Sequence, residues 1–334
     1  MNYIGSKQSL LDFLNNAIIS VAGEINTGKK VFADLFSGTG TVGLTYKEKG
    51  CKVYANDIQH YSYVLNKHYI ENHPPVDDSL LEHFNALPGT DGFIFRHYCA
   101  GSGSGRNYFT DDNGRKCDAM RLELERLKNN GEIDSAQYYF FLASLINSID
   151  KYANTAAVYG AFLKHTKPTA QRPFTLEALP VIDGNRDGKA FNQDSTELIY
   201  DLEGDILYLD PPYNARQYCA NYHVLETISR YDAPVLTGIT GMRDNTAQKS
   251  CFCSRRTAAD ALELIIREAR FQYIFLSYNN EGILSLSAIR EMMQQYGRYD
   301  LFKKEHRRFK ADNEEKRAHK AHSTTEYLHC LEKR

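Results

Sequence analysis

The stretch that decides the fold is DLFSGTG, residues 34–40. It begins at the end of the apolar run 30–36 and precedes a helical pattern that starts at Thr41, so it predicts a strand, a glycine turn and a helix. Glycines permit positive φ angles and let a ligand approach the main chain, and the helix start offers free N–H donors. The turn therefore predicts a cofactor site, although a tight connection without a ligand has the same pattern.

A second strand and helix follow at once. The strand pattern 52–56 ends at Asp57, and helical spacing runs over 58–70. Two such units in tandem predict a parallel sheet. Because Asp57 lies about 20 residues behind the glycine turn, its carboxylate is placed to accept hydrogen bonds from ribose hydroxyls, which indicates an adenosine-type ligand.

Two further apolar segments that resemble buried strands occur in the second half of the chain. The apolar segments 205–209 and 273–276 each run into polar residues, and doubly wound sheets bind ligands at such strand ends. These segments extend the predicted sheet and make the chain an α/β protein. The further predicted elements are helices at 218–231 and 285–296 and closing strands at 299–303 and 326–332.

The motif Asp210-Pro211-Pro212-Tyr213 ends the first of these strands. Prolines fix φ and remove donors, so the Asp210 carboxylate and the carbonyl oxygens form a rigid set of acceptors beside an aromatic ring. An exocyclic amine fits this set, because the amino group of an adenine would donate to Asp210 and to the Pro211 carbonyl while its ring stacks on Tyr213. A proline turn that merely ends a strand is the alternative.

The middle of the chain, residues 72–185, interrupts the pattern. It contains two prolines near its start, GSGSG at 101–105, and helical stretches at 119–129 and 136–153. Cations and tyrosines are mixed there with acids, so the composition favours a nucleic-acid face and a solvated helical lid equally. We interpret the segment as a mainly helical insertion.

The composition excludes several classes of protein. The 334 residues are 42% hydrophobic and 25% charged, values typical of a folded chain with one large domain or one domain with an insertion. No run approaches the roughly 18 apolar residues of a membrane span, and no secretory signal pattern opens the chain, so a cytoplasmic location is expected. The seven cysteines include no C-x-x-C pair and predict neither disulfides nor a metal site.

Four motifs together resemble a known family: YIGSK at 3–7, FSGTG at 36–40, NDI at 56–58 and DPPY at 210–213. The family is the Dam-like, alpha-group DNA adenine-N6 methyltransferases, site-specific modification enzymes that depend on S-adenosyl-L-methionine. The resemblance covers residues 2–331 and is weakest over the insertion. It implies a Rossmann-like methyltransferase sheet formed by the catalytic parts 1–71 and 186–334, with a target-recognition region at 72–185.

The resemblance also implies roles for individual residues. Lys7 would meet the methionine carboxylate of the cofactor as a charge-assisted pair. Asp57 would bind the ribose, Ile58 would pack on the cofactor adenine, and Asp194 of FNQD would accept from that adenine's amine. The implied catalytic residues are Asp210, Pro211, Pro212 and Tyr213. The implied cofactor-binding residues are Tyr3, Lys7, Phe36, Ser37, Gly38, Thr39, Gly40, Asp57, Ile58, Asp194 and Asp210.

In that family the methyl group passes directly to the amine of an adenine flipped out of duplex DNA. Three alternatives stay open. The same acceptors would hold the amine of cytosine in an N4-cytosine methyltransferase, an RNA adenine methylase would share the motifs, and a catalytically silent nucleotide- or DNA-binding module would share the fold. Asp rather than Ser at position 210 favours adenine, the long insertion favours duplex DNA, and the intact motif favours turnover.

The implied partner is double-stranded DNA, although the net charge of −2 does not attract the protein as a whole to a polyanion. Residues 303–320 carry eight Lys or Arg against four Asp or Glu and form the candidate phosphate-binding segment. A cognate restriction endonuclease that acts independently is a further implied partner, the expected place in a bacterial cell is beside the nucleoid, and no membrane contact is expected. Further cations follow DPPY in the chain: Arg216, Arg243, Lys249, Arg255 and Arg256.

Overall fold

A seven-stranded sheet forms the centre of the molecule in the computed structural model, which describes residues 3–25, 29–307 and 323–334. The order of strands across the sheet is β3-β2-β1-β4-β7-β9-β8. The first five are parallel, and β9 pairs antiparallel with both β7 and β8. A separate hairpin consists of β5 and β6. The strands are β1 (Val31–Asp34), β2 (Lys52–Asn56), β3 (Lys189–Phe191), β4 (Glu203–Leu209), β5 (Leu236–Thr237), β6 (Met242–Arg243), β7 (Arg270–Asn279), β8 (Gly297–Arg307) and β9 (Ser323–Lys333).

Helices flank the sheet and fill the middle of the chain. They are α1 (Leu11–Ala22), α2 (Thr41–Glu48), α3 (His60–Asn66), α4 (Leu81–Ala86), α5 (Phe93–Tyr98), α6 (Asp111–Asn129), α7 (Ser135–Asp150), α8 (Ser195–Leu198), α9 (Tyr218–Asn221), α10 (His223–Arg230), α11 (Ala258–Glu268) and α12 (Leu286–Gln294). No helix among the described residues is long and apolar enough to span a membrane. The sequence prediction of an α/β fold is therefore confirmed.

Two predicted helices differ in detail from the structure. The helix predicted over 58–70 changes into a π-helical turn at Lys67–Glu71. The helix predicted over 218–231 is two helices, because Tyr222 leaves the helical conformation with φ −126°. The ring of Tyr222 is fully buried and its hydroxyl accepts a hydrogen bond from the Ile4 N–H at 2.8 Å, so a tertiary contact is made at the break.

Both faces of the sheet are covered. Successive strand residues point to opposite faces, so Phe32 and Ile206 pack in one cluster with residues of α1 and α2, while Ala33 and Leu207 pack in another with residues of α11 and α12. Burial on both faces explains why β4 reads as a nearly continuous apolar run. The ends of β1 and β4 lie where the strand order reverses, and such switch points form ligand crevices.

Residues 72–185 are all described and supply helices α4 to α7 but no strand of the large sheet. Their core is not separate from the rest of the protein. Phe84 and Phe141 of this segment belong to one buried cluster with Val64 of α3 and Leu225 of α10. The insertion therefore packs on α3, the helix that follows β2, and on α10, the helix that follows the DPPY motif.

Candidate active site

The glycine turn after β1 adopts the backbone that its sequence requires. Gly38 and Gly40 have φ angles of +50° and +80°, in the left-handed region where side chains are disfavoured. A Cβ atom at Gly38 would lie 3.0 Å from Cε1 of Tyr3, so the Tyr3 ring covers the turn directly. The Gly38 N–H donates to Asp57 Oδ2 at 2.9 Å. Asp57 therefore joins the first βα unit to the second.

A cleft of about 920 Å³, including its open mouth, lies outside the carboxyl ends of β1, β2 and β4. Most of the residues predicted as cofactor or catalytic residues line it. These are Tyr3, Lys7, Phe36, Ser37, Gly38, Thr39, Asp57, Ile58, Asp194, Asp210 and Pro212. Gly40, Pro211 and Tyr213 are next to this lining in the chain but are not part of it. Gly40 directly precedes α2, Pro211 is buried, and Tyr213 packs against the apolar cluster on one side.

An asparagine at the end of β2 brings Asp194 to the cleft. The Asn56 side-chain amide donates to the carbonyl oxygens of Leu35 at 3.2 Å and Gln193 at 3.1 Å. Its Oδ1 accepts from the Gln193 N–H at 3.1 Å. The carboxylate of Asp194 then caps α8, where its Oδ1 accepts from the Thr196 N–H at 2.8 Å. The NDI and FNQD motifs are thus physically joined.

Lys7 lies between two carboxylates. Its Nζ is 2.9 Å from Asp210 Oδ1 and 3.1 Å from Glu326 Oε1, and both Lys7 and Glu326 are 5% exposed. Burial opposes the charge of Lys7, but the two carboxylates outweigh it and raise the lysine pKa well above its usual value. The structure thus shows an ion pair between Lys7 and the DPPY aspartate, and the expected contact of Lys7 with the methionine carboxylate of the cofactor stays a prediction.

Sequence reasoning missed Glu326, and a signal for it existed. In β9, Glu326 has the same parity as Leu328 and Cys330, which are buried in the apolar cluster that includes Phe32. An acid on the same strand face as buried apolar residues indicates a partnered charge, because an unpaired buried carboxylate is too costly. That signal names the residue but not its partner, which is 319 positions away.

Three tyrosines attach the N-terminal segment to the chain that follows DPPY. The ring of Tyr3 stacks on Tyr222, with centroids 4.8 Å apart and planes at 25°. The Tyr218 hydroxyl donates to the Ile4 carbonyl oxygen at 3.2 Å. These contacts hold Lys7 beside Asp210, and no periodicity or spacing in the sequence predicted them.

The Tyr213 ring is fixed on two sides. Lys7 Nζ lies 5.9 Å from the ring centroid, and the ring meets Tyr278 edge-on at 5.7 Å. The Tyr213 carbonyl oxygen accepts from the Ile283 N–H at 2.9 Å. A ring held in this way is suited to stacking, because it loses little freedom when a second ring packs on it.

The floor of the cleft carries more negative than positive charge. Asp34 is 1% exposed, and burial together with the charge of Asp210 raises its pKa well above the usual range. Burial raises the pKa of Asp210 to about 6 against the opposing effect of Lys7. Asp34 therefore keeps its proton, and two carboxylates, those of Asp210 and Glu326, face the single ammonium of Lys7. A cationic ligand fits such a site, since it restores the balance of charge.

A segment that sequence reasoning did not associate with the site completes the cleft wall. Gln248, Ser250, Cys251 and Phe252 line it. Gln248 donates from Nε2 to Glu226 Oε1 at 2.6 Å, which ties the wall to α10. No motif marks this segment in the sequence.

The cations expected to contact DNA are not equivalent. Arg243 is 9% exposed and makes a bidentate pair with Asp232, with Nη1 to Oδ1 at 2.9 Å and Nη2 to Oδ2 at 2.6 Å, so it is not available to a phosphate. Arg216, Lys249, Arg255 and Arg256 are exposed. Of the candidate segment 303–320, residues 308–320 lie outside the described part of the chain, and phosphate binding there stays a prediction.

The two acids of the cleft predict an acidic limit to activity. Burial raises the pKa of both Asp57 and Asp210 to about 6. Asp210 accepts hydrogen bonds fully only when it is ionised, so we expect kcat/KM to fall as the pH drops below about 6. Steady-state kinetics between pH 5 and pH 8 measure this, and a flat profile across that range contradicts it.

The same two pKa values have the opposite effect on stability. A carboxyl whose pKa is higher in the folded than in the unfolded protein binds its proton more tightly in the folded state. Its contribution to the free energy of unfolding is therefore full below the unfolded value and is lost as the pH rises through about 6. Asp57→Asn should remove part of this decline when urea unfolding is compared at pH 4.5 and pH 7.

Comparison with known proteins agrees with this architecture. Residues 3–292 match the family described as D12 class N6 adenine-specific DNA methyltransferase, and the chain belongs to that family. It is a site-specific adenine DNA methyltransferase, which transfers a methyl group from a donor to DNA. No solved structure matches the chain significantly.

Several curated relatives are Type II methyltransferases. The chain is 50% identical over 335 residues to the Type II methyltransferase M.NlaIII of Neisseria lactamica. That alignment covers 100% of this chain and 99% of the relative. It is 34% identical over 318 residues to M.CviAII of Paramecium bursaria Chlorella virus 1, covering 93% of each chain. It is 35% identical over 348 residues to M.FokI of Planomicrobium okeanokoites, and that alignment covers all of this chain but 53% of the relative.

Proposed function

We propose that the chain transfers the methyl group of S-adenosyl-L-methionine to the N6 amine of an adenine that has been flipped out of duplex DNA. The observation that carries this proposal is the shared cleft. The glycine turn, Asp57 and Asp194 line the same cavity as Asp210. Residues suited to an adenosine-type ligand therefore lie beside residues suited to an exocyclic amine.

The residues present fit this cofactor. When bound, S-adenosyl-L-methionine supplies a methyl group made electrophilic by its sulfonium. Asp57 and Asp194 would hold the ribose and the adenine, with Ile58 packed on the adenine ring, and the turn Phe36–Ser37–Gly38–Thr39–Gly40 would hold the methionine part. The excess of carboxylates around Lys7 supports a cationic ligand, because a neutral or anionic one would leave the charge unbalanced.

The proposed mechanism gives each DPPY residue a role. Asp210 and the Pro211 carbonyl would accept the two hydrogens of the target amine, which directs the nitrogen lone pair away from the ring and towards the methyl group. As the bond from the nitrogen to the methyl carbon forms, the carbon–sulfur bond of the cofactor would break and leave a neutral thioether. The nitrogen would become positively charged, the ionised Asp210 would stabilise that charge, and the extra proton of the amine would leave to solvent. Pro212 keeps this turn rigid, Tyr213 stacks on the flipped base, and Lys7 holds the Asp210 carboxylate in one orientation.

The organisation of the chain is part of the proposal. We assign residues 1–71 and 186–334 to catalysis and 72–185 to target recognition. The joint core of the insertion with α3 and α10 supports this assignment, because it ties the insertion to both sides of the cleft. A cognate restriction endonuclease acting independently is proposed as a partner in the cell, since the relatives named above are Type II methyltransferases.

Labelled methyl transfer tests the function directly. We expect tritium from methyl-labelled S-adenosyl-L-methionine to enter plasmid DNA, and nucleoside chromatography to locate it in N6-methyladenine. Long-read sequencing of the modified plasmid would map the site. Label in N4-methylcytosine would overturn the assigned base, and absence of label with the cofactor bound would overturn the reaction.

A further inference from the structure

One buried carboxylate beside the cleft has no part in the proposed reaction. Glu226 of α10 is 1% exposed, and a carboxylate so deeply buried requires hydrogen-bond donors. Its Oε1 accepts from Gln248 Nε2 at 2.6 Å and pairs with Arg230 Nε at 2.5 Å. Its Oε2 accepts from the N–H of Tyr61, at the start of α3, at 3.1 Å. Glu226 therefore connects its own helix, α3 and the wall of the cleft.

The helix that carries Glu226 is anchored by the insertion. Arg121 of α6, which is 1% exposed, donates from Nε to the Ile228 carbonyl oxygen at 2.8 Å and from Nη2 to the Ser229 carbonyl oxygen at 3.3 Å. These carbonyls belong to the last turn of α10, where helical acceptors lack partners within the helix and a cation is favourable. Glu226 is thus presented from a fixed helix.

Gln248 spans the distance from Glu226 to the loop that follows β2. The side chain of Gln248 is buried against the cleft, and its Nε2 has two hydrogens to donate. One goes to Glu226, and the other goes to the Ile58 carbonyl oxygen at 3.3 Å, from 190 positions away in the chain. The amide has one favourable orientation, because its oxygen would be repelled by both of these acceptors.

The peptide unit between Ile58 and Gln59 is held at both of its polar groups. Its carbonyl oxygen accepts from Gln248, and its N–H donates to Asp57 Oδ1 at 2.8 Å. The preceding peptide unit is held as well, because the Asp57 carbonyl oxygen accepts from Asn192 Nδ2 at 2.7 Å. With the planes on both sides of Ile58 fixed, its φ and ψ angles are fixed too.

A fixed backbone at Ile58 matters for the ligand. Ile58 lines the cleft and is the residue proposed to pack on the adenine ring of the cofactor. A side chain whose place is set before the ligand arrives loses less freedom on binding, so more of the contact energy appears as affinity. The hydrogen bonds to Asp57 and Asn192 come from other residues of the cofactor side, whereas the bond to the Ile58 carbonyl comes from Gln248 on the opposite wall.

We propose that Gln248 is a positioning residue of the cofactor pocket: held by Glu226, it fixes the Ile58–Gln59 peptide and so places the Ile58 side chain against the adenine of the bound cofactor. Gln248 acts through Ile58 and takes no part in the transfer of the methyl group. The inference rests on the proposed binding of S-adenosyl-L-methionine.

The first test is Gln248→Met, which keeps the length of the side chain and removes both donated hydrogens. We expect calorimetry with S-adenosyl-L-methionine to give a Kd about 10-fold higher than that of the wild type, because a buried carbonyl and a buried carboxylate each lose a donor. The kcat at saturating cofactor should stay unchanged, since the DPPY residues are untouched. The matched control is Gln294→Met at an exposed position of α12, which should alter neither quantity.

A second test separates positioning from support of the fold. Gln248→Glu places a carboxylate opposite both Glu226 and the Ile58 carbonyl, so it should lower the Tm and raise the Kd further. Adding Glu226→Gln restores a donor and an acceptor between positions 226 and 248, and the Tm should return towards the wild-type value. The Kd should stay raised, because the carboxylate introduced at position 248 has no hydrogen for the Ile58 carbonyl.

The results that contradict the inference are distinct. It is overturned if Gln248→Met binds the cofactor like the wild type, or if the Kd of the double variant recovers together with its Tm, which would make Gln248 a support of the fold alone. If wild-type protein does not bind S-adenosyl-L-methionine, the proposed cofactor itself is wrong, and the inference fails for that separate reason.

Discussion

Asp210→Asn is expected to lower kcat for methyl transfer by about 10³-fold while the protein stays folded. The substitution keeps the shape of the side chain but replaces a charged acceptor by an amide, which stabilises the positive charge on the target nitrogen poorly. Asp210 is also the DPPY residue that contacts Lys7, so its orientation is set before the substrate arrives. Single-turnover methylation of the mapped duplex with saturating cofactor measures the loss.

The matched control is Asp201→Asn, which changes the same chemical group at an exposed position after α8. It should leave kcat unchanged. Calorimetric binding of S-adenosyl-L-methionine to Asp210→Asn should weaken far less than kcat falls, because the substitution removes one carboxylate near the cationic cofactor while Asp57 and Asp194 still hold the ribose and the adenine. A variant that keeps more than a tenth of the wild-type kcat would show that Asp210 does not act on the amine.

Lys7→Met should destabilise the free protein by about 3–5 kcal/mol, because it removes the cation from a buried ion pair and leaves two carboxylates without a partner. Methionine fills most of the space of the lysine stem, so loss of packing adds little. Urea unfolding followed by circular dichroism measures the change in the free energy of unfolding. Lys7→Met, Glu326→Gln should recover part of it, since the second substitution removes one of the unpaired charges.

This experiment also separates two roles for Lys7. If the lysine serves mainly to hold the methionine carboxylate, its loss should weaken cofactor binding and leave the unfolding of the free protein nearly unchanged. If it serves mainly to fix Asp210, the free protein should lose stability, and Glu326→Gln alone should lower kcat more than it raises the KM for the cofactor.

The sequence was sufficient for the parts of the site that are local. Each of three local patterns marks the end of a strand: the turn at 34–40, the strand 52–56 and the motif at 210–213. A parallel sheet brings the carboxyl ends of its strands to one edge, so these patterns were enough to predict that their residues lie together. The α/β fold was predicted for the same reason. Periodicity and turn chemistry act over a few residues, and these elements are defined over a few residues.

The sequence was insufficient where contacts are long-range. Tyr222, at the break between two helices, accepts a hydrogen bond from Ile4, and Lys7 pairs with Glu326; no spacing rule connects the partners in either contact. The same holds for Arg243, which reads as a surface cation until Asp232 is seen beside it. The hairpin of β5 and β6 was not predicted, because each of its strands has only two residues.

The last strand of the sheet has a consequence for synthesis. Although β9 comes at the end of the sequence, it lies between β7 and β8 and carries the carboxylate that Lys7 contacts. A nascent polypeptide can therefore form the glycine turn and the DPPY turn while it is still on the ribosome, but it cannot neutralise Lys7 fully until residue 326 has emerged. Translation products that stop before residue 326 should accordingly lack both the strand between β7 and β8 and the second carboxylate partner of Lys7, and they should be unable to methylate DNA.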